Sequence, residues 1–272
     1  MENFEIINCV VVSYSGKEDN VVIPEGVTKI GKEAFKENND IKIVTIPDSV
    51  EVIGESAFEL CENLTSVKFS KNLKIIESFA FSECTSLSDV TLPSSVEEIY
   101  PHAFFECKMK DVTLGPKLST LGLLAFGGFG NLVTAFNVSE DNEHFSSVNG
   151  VLYNKDKTKL LMYPQKRYEE CFTPISSVKE IYDYAFTSLS NFDTKEKAMI
   201  IKINEGATKI GEKAFFADIG AGDVYLPSSI EEIGEEAFGS FGITSGSKVH
   251  VIKGSKSEEL IRLMDNVNYV AD

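Results

Sequence analysis

The 272-residue sequence predicts a β-rich solenoid, in which short coils of similar length stack along one axis. Three observations carry this prediction: a recurring Ala-Phe dipeptide, an apolar pair ahead of each dipeptide, and a short alternating strand further upstream. The first five dipeptides are spaced by 23, 23, 23 and 22 residues, and three more follow: Ala34-Phe35, Ala57-Phe58, Ala80-Phe81, Ala103-Phe104, Ala125-Phe126, Ala185-Phe186, Ala214-Phe215 and Ala237-Phe238. A fixed period of this length is typical of repeat proteins, in which each coil contacts only its neighbours.

Each repeat begins with a short strand, of which Val44-Thr45-Ile46-Pro47 is a clear example. Successive side chains of a strand point to opposite faces, so Val44 and Ile46 should face the core while Thr45 faces solvent. A proline past the last ladder hydrogen bond costs little. Stacked coils should therefore pair their strands in parallel into one long sheet, with the phenylalanines forming a continuous stack inside.

The repeat consensus V-x-I-P-x-x-V-x-x-I-G-x-x-A-F-x-x-C-x-x-L, which Glu51 to Leu64 fits closely, resembles the BspA-like (treponemal-type) leucine-rich repeat. The resemblance covers nearly the whole chain. It implies a right-handed leucine-rich-repeat solenoid, a β-rich β/α superhelix with a parallel sheet on the concave face and short helical or irregular turns on the convex face. It also implies binding of proteins or surfaces, and a location at the cell surface or in the secreted fraction.

The repeats leave two ends and one interruption that differ from the consensus. We predict a single solenoid over residues 1–272, with an N-terminal capping hairpin at 1–20, repeats at 21–138 and 171–252, a β-hairpin insertion at 139–170 and a C-terminal cap at 253–272. Asn149-Gly150 between apolar runs indicates the hairpin turn. The insertion is either architectural, like a similar Gly-x-Leu-Tyr…Tyr-Pro segment of the family, or part of the binding surface. In the last segment we expect a helix from Ser257, as N-cap, to Met264, then a strand from Val267 to Val270.

Charge and hydropathy narrow the classes of partner. The 42 acidic and 26 basic side chains give a net charge of −16, which repels phosphate backbones, so we expect no nucleic-acid partner. No apolar run reaches the ~18 residues of a membrane span, so no membrane insertion is expected. The first residues lack the basic region of a secretory signal, and the last ones lack an anchor. The chain as written therefore fits either an intracellular protein or one whose export signal has been removed, whereas the resemblance implies the cell surface or the secreted fraction. We also expect a monomer.

Cysteine and histidine are the residues that could carry chemistry. Cys61, Cys84 and Cys107 are spaced by 23 residues, and Cys9 and Cys171 make the total five. A ladder of small buried thiols, a disulfide between adjacent coils and a metal site are all conceivable, but no C-x-x-C pair or nearby histidine supports the metal. The three histidines, His102, His144 and His250, lie in different repeats, and His102 is expected at the surface. We therefore predict no enzyme, no cofactor and no metal.

The solvent-facing strand positions give the candidate binding surface. They form one row across the sheet, here called the strand row: Val22, Thr45, Lys68, Thr91, Thr113, Asn137, Thr173, Lys202, Tyr225 and His250. The candidate binding residues of the concave face are Thr45, Lys68, Thr91, Thr113, Asn137, Lys202, Tyr225 and His250. Asp89, Asp111 and Asp223 lie in neighbouring rows.

Two functions from different classes fit these observations. The first is a non-enzymatic binding module that presents its curved surface to a protein or cell-surface ligand. The alternative is a structural or assembly protein that spaces other parts or polymerises through its solenoid. The choice of a binding module rests on the fold rather than on a recognisable hot spot.

Overall fold

The computed structural model describes residues 3–128, 130–167, 169–187, 199–216, 221–239 and 246–272. The chain is a β-solenoid of about ten turns with parallel sheets and little helix, as the repeat predicts. It divides into two compact units, Met1–His144 and Phe145–Asp272.

The first unit consists of thirteen short strands and irregular turns among its described residues. The strands are β1 (Phe4–Ile7), β2 (Val10–Tyr14), β3 (Asn20–Val22), β4 (Lys29–Ile30), β5 (Ile43–Thr45), β6 (Val52–Ile53), β7 (Ser66–Lys68), β8 (Ile75–Ile76), β9 (Asp89–Val90), β10 (Glu98–Ile99), β11 (Asp111–Leu114), β12 (Thr120–Leu121) and β13 (Ala135–Val138). β1 and β2 form an antiparallel hairpin, and β2 then pairs in parallel with β4.

Each coil of the first unit contributes to two ladders, where the sequence predicted one sheet. The predicted strands pair in the orders β3-β5-β7-β9 and β11-β13. A second ladder, β2-β4-β6-β8-β10-β12, runs through the apolar pair ahead of each Ala-Phe. Ile30 aligns with Ile53 and Ile53 with Ile76, and all three side chains are fully buried.

The glycine that follows the apolar pair is explained by the close approach of consecutive coils in this second ladder. A Cβ atom on Gly54 would lie 2.8 Å from the carbonyl oxygen of Ile30. A contact that short is not tolerated without movement of the backbone.

The phenylalanines of the Ala-Phe dipeptides form the predicted stack. The rings of Phe58 and Phe81 are parallel within 3° at a centroid distance of 5.1 Å, and Phe81 and Phe104 follow at 5.2 Å and 6°. All three side chains, together with the preceding alanines, are fully buried. The prediction of a continuous ring stack in the core is confirmed for these coils.

Irregular turns surround each Ala-Phe dipeptide and are joined from coil to coil by backbone hydrogen bonds. The N–H of Phe58 donates to the carbonyl of Ala80, with 2.8 Å between nitrogen and oxygen. The residue ahead of the alanine adopts a left-handed conformation in each of these coils, with φ of 54° at Ser56, 59° at Phe79 and 59° at His102. We call this position the turn column.

The second unit contains eleven described strands and one helix. They are β14 (Phe145–Val148), β15 (Val151–Asn154), β16 (Lys159–Met162), β17 (Cys171–Phe172), β18 (Glu180–Ile181), β19 (Met199–Lys202), β20 (Lys209–Ile210), β21 (Ala221–Tyr225), β22 (Glu232–Ile233), β23 (Val249–Val251), α1 (Lys256–Arg262) and β24 (Tyr269–Ala271). The two sheets follow the orders β14-β15-β16-β18-β20-β22 and β17-β19-β21-β23-β24.

The insertion folds as an antiparallel meander that opens the second unit. Asn149 and Gly150, both with positive φ, connect β14 to β15, and β16 then pairs in parallel with β18. Tyr163 takes the place of a repeat phenylalanine: its N–H donates to the carbonyl of Ala185 at 2.8 Å, and its ring stacks on Phe186 at 5.4 Å. The meander therefore supplies the first layer of this unit's core.

The C-terminal helix starts two residues earlier than the sequence predicted. Ser255 is its N-cap, because the Ser255 side chain accepts a hydrogen bond from the N–H of Glu258. The Glu258 carboxylate in turn accepts from the N–H of Gly254 at 2.6 Å, so an orphan donor at the helix start is satisfied. The predicted cap, Ser257, is instead a buried residue of the first turn. Among the described residues, no helix combines the length and apolar character that crossing a membrane requires.

Candidate binding surface

The strand row of the first unit is aligned by the register of its parallel strands. Val22 pairs with Thr45 and Thr45 with Lys68, while Thr113 pairs with Asn137. Thr91 directly follows β9 and is exposed. Apart from an exposed Val22, these side chains are polar and either small or flexible. This part of the row is therefore a polar surface without large protruding side chains.

The strand row of the second unit carries larger side chains in the same kind of alignment. Lys202 pairs with Tyr225, and Tyr225 pairs with His250. Thr173 directly follows β17 and is exposed. The structure therefore places Lys202, Tyr225 and His250 next to one another on three consecutive strands, and we call these three residues the stacked cluster.

Ring and cation contacts hold the stacked cluster together. The rings of Tyr225 and His250 are parallel within 8° at a centroid distance of 4.2 Å. The ammonium nitrogen of Lys202 lies 5.6 Å from the centre of the Tyr225 ring, within the range of a cation–π contact. Both faces of the tyrosine ring are thus in contact with neighbours.

Two carboxylates fix the imidazole of His250. Its Nε2 lies 2.9 Å from Oδ2 of Asp223, and its Nδ1 lies 3.2 Å from Oδ2 of Asp272. Ionised carboxylates only accept hydrogen bonds. Both contacts can therefore be hydrogen bonds at the same time only when each ring nitrogen carries a proton. These two contacts hold the ring from both edges. Only 16% of the histidine side chain is exposed.

The electrostatics of Asp223 follow from the same contacts. Burial would raise the pKa of this carboxyl, but hydrogen bonds from His250 and from the N–H of Lys248 bring the pKa below its usual value. Asp223 therefore carries its negative charge at neutral pH.

Sequence reasoning identified most of this site but missed Asp272. Asp223 appears as a neighbour of the strand row because it lies two residues before Tyr225 on the same strand. The contact of Asp272 depends on the parallel register of β23 and β24, in which His250 pairs with Val270. No sequence signal fixes that register, because β24 departs from the repeat consensus.

The cysteines and histidines form no metal site within the described residues, where no group of three His, Cys, Asp or Glu side chains is suitably placed. Cys61, Cys84 and Cys107 are fully buried, and all five cysteines are free. The ladder of buried thiols is therefore confirmed, and its three cysteines are free rather than joined in a disulfide. His102, expected at the surface, is instead partly buried under Phe79, with which its ring stacks at 5.0 Å.

A cavity of about 730 Å³ lies between α1 and the coil of β22. Leu260, Leu263 and Met264 line it from the helix side, and Ile233 and Phe216 line it from the coil. None of its lining residues belongs to the strand row. Glu235, Glu236 and Asp265 also line this open cleft, which is separate from the stacked cluster.

Comparison with protein families places the repeats in a known class. A sequence profile described as "BspA type Leucine rich repeat region" matches the chain in six copies, over residues 6–133 and 179–251. This coverage is well over half of the chain. No protein with a curated description matches the sequence.

Several solved bacterial structures share the fold. A leucine-rich repeat protein from Eubacterium ventriosum superposes with a TM-score of 0.74 at 23% identity; the match covers 97% of this chain, which spans only 66% of that protein's length. A leucine rich cell surface protein from Faecalibacterium prausnitzii gives a TM-score of 0.58 at 20% identity, covering 97% and 90% of the two chains. The pneumococcal vaccine antigen PcpA gives 0.56 at 20% identity, covering 93% and 79%. Identities this low show a common fold alone.

Proposed function

Because the chain belongs to the BspA-type leucine-rich repeat family, we propose that it is a non-enzymatic binding module that holds a protein or cell-surface ligand on its strand row. The fold supports this proposal, since leucine-rich repeats serve as protein-interaction scaffolds. Two structural neighbours are a vaccine antigen and a cell surface protein by name. We extend that location to this chain and propose that it acts at a cell surface or after secretion.

The observation that carries the proposal is the stacked cluster of Lys202, Tyr225 and His250. Side chains that are already immobile lose little conformational entropy when a ligand binds. Here ring stacking holds the tyrosine against the histidine, and contacts with two carboxylates hold the histidine, before any ligand arrives. Tyrosine also provides a large contact area together with a hydroxyl that can donate or accept a hydrogen bond.

The charges around the stacked cluster indicate a polar partner surface. The Lys202 ammonium and the Asp223 and Asp272 carboxylates lie beside the two rings. Charges of both signs within one small area favour a partner with complementary charges over an apolar groove binder. The net charge of −16 continues to disfavour a nucleic acid.

Reversing the charge of Lys202 tests this function. Fluorescently labelled chain is titrated onto epithelial cell monolayers and onto immobilised fibronectin, collagen and laminin. We expect saturable binding to at least one of these surfaces, and Lys202→Glu should weaken it by roughly tenfold, the effect of a well-placed contact. Lys179→Glu is the matched control, because Lys179 is an exposed lysine of the same unit outside the strand row. Equal losses for the two variants, or binding without saturation on every surface, would contradict the proposal.

A structural or assembly role is the second candidate, and one observation favours it. β24 is the last strand of its sheet, and its outer edge pairs with no strand in the part of the chain that the structure describes. Exposed strand edges can pair with another chain. Light scattering at increasing concentration separates the two roles: a constant single-chain mass supports the monomeric binding module, and a mass that grows with concentration supports assembly.

A further inference from the structure

Three consecutive turns of the first unit carry apolar side chains where the two preceding coils of this unit, those of Phe35 and Phe58, carry polar ones. We call this set the apolar turn patch; it comprises Phe79, Tyr100, His102, Phe105, Leu123 and Leu124. The coil of Phe58 has Glu55, Ser56 and Glu59 at the positions of Leu123, Phe79 and Phe105. Because that coil packs well with polar residues there, the fold does not require apolar ones.

Three aromatic members of the patch, Phe79, His102 and Phe105, contact one another in series. The rings of Phe79 and His102 stack at 5.0 Å and 8°, and His102 contacts the Phe105 ring at 5.3 Å. The turn column places Phe79 and His102 one above the other, since both have the same left-handed backbone. Burial lowers the pKa of His102, so this ring adds no positive charge at neutral pH.

Much of this apolar surface is open to solvent. The exposed fractions are 39% for Phe79, 38% for Tyr100 and 37% for Leu123. Large apolar side chains that are exposed next to one another, and framed by polar residues, mark interaction sites in soluble proteins. Isolated exposed apolar residues are common, but these lie at adjacent positions in consecutive coils.

Carboxylates frame the patch. The N–H of Glu83 donates to the carbonyl of Phe105 at 2.8 Å, which places this exposed glutamate beside the patch. The hydroxyl of Tyr100 donates to Glu98 at 2.6 Å, so a second carboxylate lies at its edge. The stretches 77–83 and 100–106 contain no lysine or arginine. The partner that fits such a surface combines apolar side chains with positive charges, whereas a second copy of this acidic chain would be repelled.

We propose that the apolar turn patch docks an amphipathic segment of a partner protein that presents apolar side chains together with lysine or arginine. Apolar anchors from the partner would cover Phe79, Phe105 and Leu123, and its basic side chains would reach Glu83 and Glu98. This site lies on the turns rather than on the strands. It is independent of the strand row, so one chain can hold two partners.

The test uses a labelled amphipathic peptide as a probe. A synthetic helix of about 18 leucine and lysine residues models the proposed partner, and a leucine–glutamate peptide of the same pattern is its charge control. Binding is followed by fluorescence anisotropy. The patch variant is Phe79→Ser/Phe105→Ser/Leu123→Ser, which leaves the net charge unchanged. Serine already occupies the equivalent positions in other coils, as Ser56, Ser82 and Ser78.

A matched control variant, Lys32→Ser/Glu33→Ser, alters the equivalent turn of the Phe35 coil and also keeps the net charge. We expect saturable binding of the leucine–lysine peptide to the unmodified protein and to the control. The patch variant should bind about tenfold more weakly, and the leucine–glutamate peptide should not bind. If the patch variant loses its native circular dichroism, Leu123→Ser alone carries the same prediction, with a loss of about threefold.

Two results would overturn the proposal. The first is equal affinity of the patch variant and the unmodified protein, which would attribute the attraction to net charge alone. The second is absence of saturable binding of the leucine–lysine peptide to the unmodified protein. Neither result bears on the strand row, whose residues all these variants retain.

Discussion

The thiol of Cys84 donates a hydrogen bond to the backbone carbonyl of Phe58, with 3.1 Å between Sγ and the oxygen. The neighbouring thiols make the same contact one coil away: Cys61 with Phe35 at 3.0 Å and Cys107 with Phe81 at 3.2 Å. Burial raises the pKa of Cys61 to about 12, and it raises the pKa of Cys84 and Cys107 as well. The ladder thiols therefore stay protonated, act as donors and are poor nucleophiles.

Thiol labelling tests this arrangement. In the native protein, a thiol reagent should modify the exposed Cys9 and Cys171 and spare the three ladder cysteines, because these are buried and un-ionised. After unfolding without a reductant, all five should react. The number of modified cysteines is read by mass spectrometry. Three or fewer reactive thiols in the unfolded protein would indicate disulfides, and rapid labelling of Cys84 in the native protein would contradict its burial.

Phe81 should dominate the stability of its coil. Phe81→Ala removes a fully buried ring between Phe58 and Phe104, and it should lower the free energy of unfolding by roughly 3–5 kcal/mol. Glu83→Ala is the matched control two residues away, and its exposed side chain should change that free energy by less than about 0.5 kcal/mol. Urea unfolding measures both values. Equal midpoints for the two variants would contradict the central place of the ring stack.

The core could be predicted from the sequence because one register serves every coil. A residue type that recurs every 23 residues must land at the same place in each coil, so the Ala-Phe dipeptide alone locates Phe58, Phe81 and Phe104. The second ladder was missed for a physical reason. Its strands, such as Val52–Ile53, are two residues long, too short to show the alternation that reveals a strand.

The binding surface was only partly predictable. The strand row follows from the repeat, so the alignment of Lys202, Tyr225 and His250 could be named, although Tyr225 and His250 are only partly exposed and the role of all three as binding residues stays a prediction. The contact between His250 and Asp272 could not, because it depends on how β24 joins the sheet. The stacking of Phe79 on His102 could have been predicted, since the two residues are 23 apart. It becomes visible only when the turn positions of consecutive coils are compared.

Asp223 should contribute to stability in a pH-dependent way. Its pKa in the folded protein lies below the usual 3.8, because hydrogen bonds from His250 and Lys248 outweigh the opposing effect of burial. A carboxyl with a lowered pKa stabilises the fold above its unfolded pKa, and this contribution is lost as the pH falls through the folded value. Asp223→Asn should therefore be less stable than the unmodified protein at neutral pH, and the difference should shrink below pH 3.8.

Urea unfolding at a series of pH values measures this difference. Asp156→Asn, in the exposed turn between β15 and β16, is the control and should show no comparable pH-dependent difference. A gap between Asp223→Asn and the unmodified protein that stays constant from neutral to acidic pH would show that ionisation of Asp223 does not stabilise the fold.

The most direct test of the binding module compares the C-terminal end of the strand row with its middle on a surface that the unmodified chain binds. Tyr225→Ala/His250→Ala removes the two stacked rings, and Thr91→Ala/Thr113→Ala trims two exposed threonines of the first unit. Dissociation constants are measured for both double variants, with circular dichroism as a check on folding. The aromatic pair should weaken binding by roughly tenfold or more and the threonine pair by less than about twofold. Equal losses for the two variants, or a loss confined to the threonine pair, would contradict a ligand site at the stacked cluster.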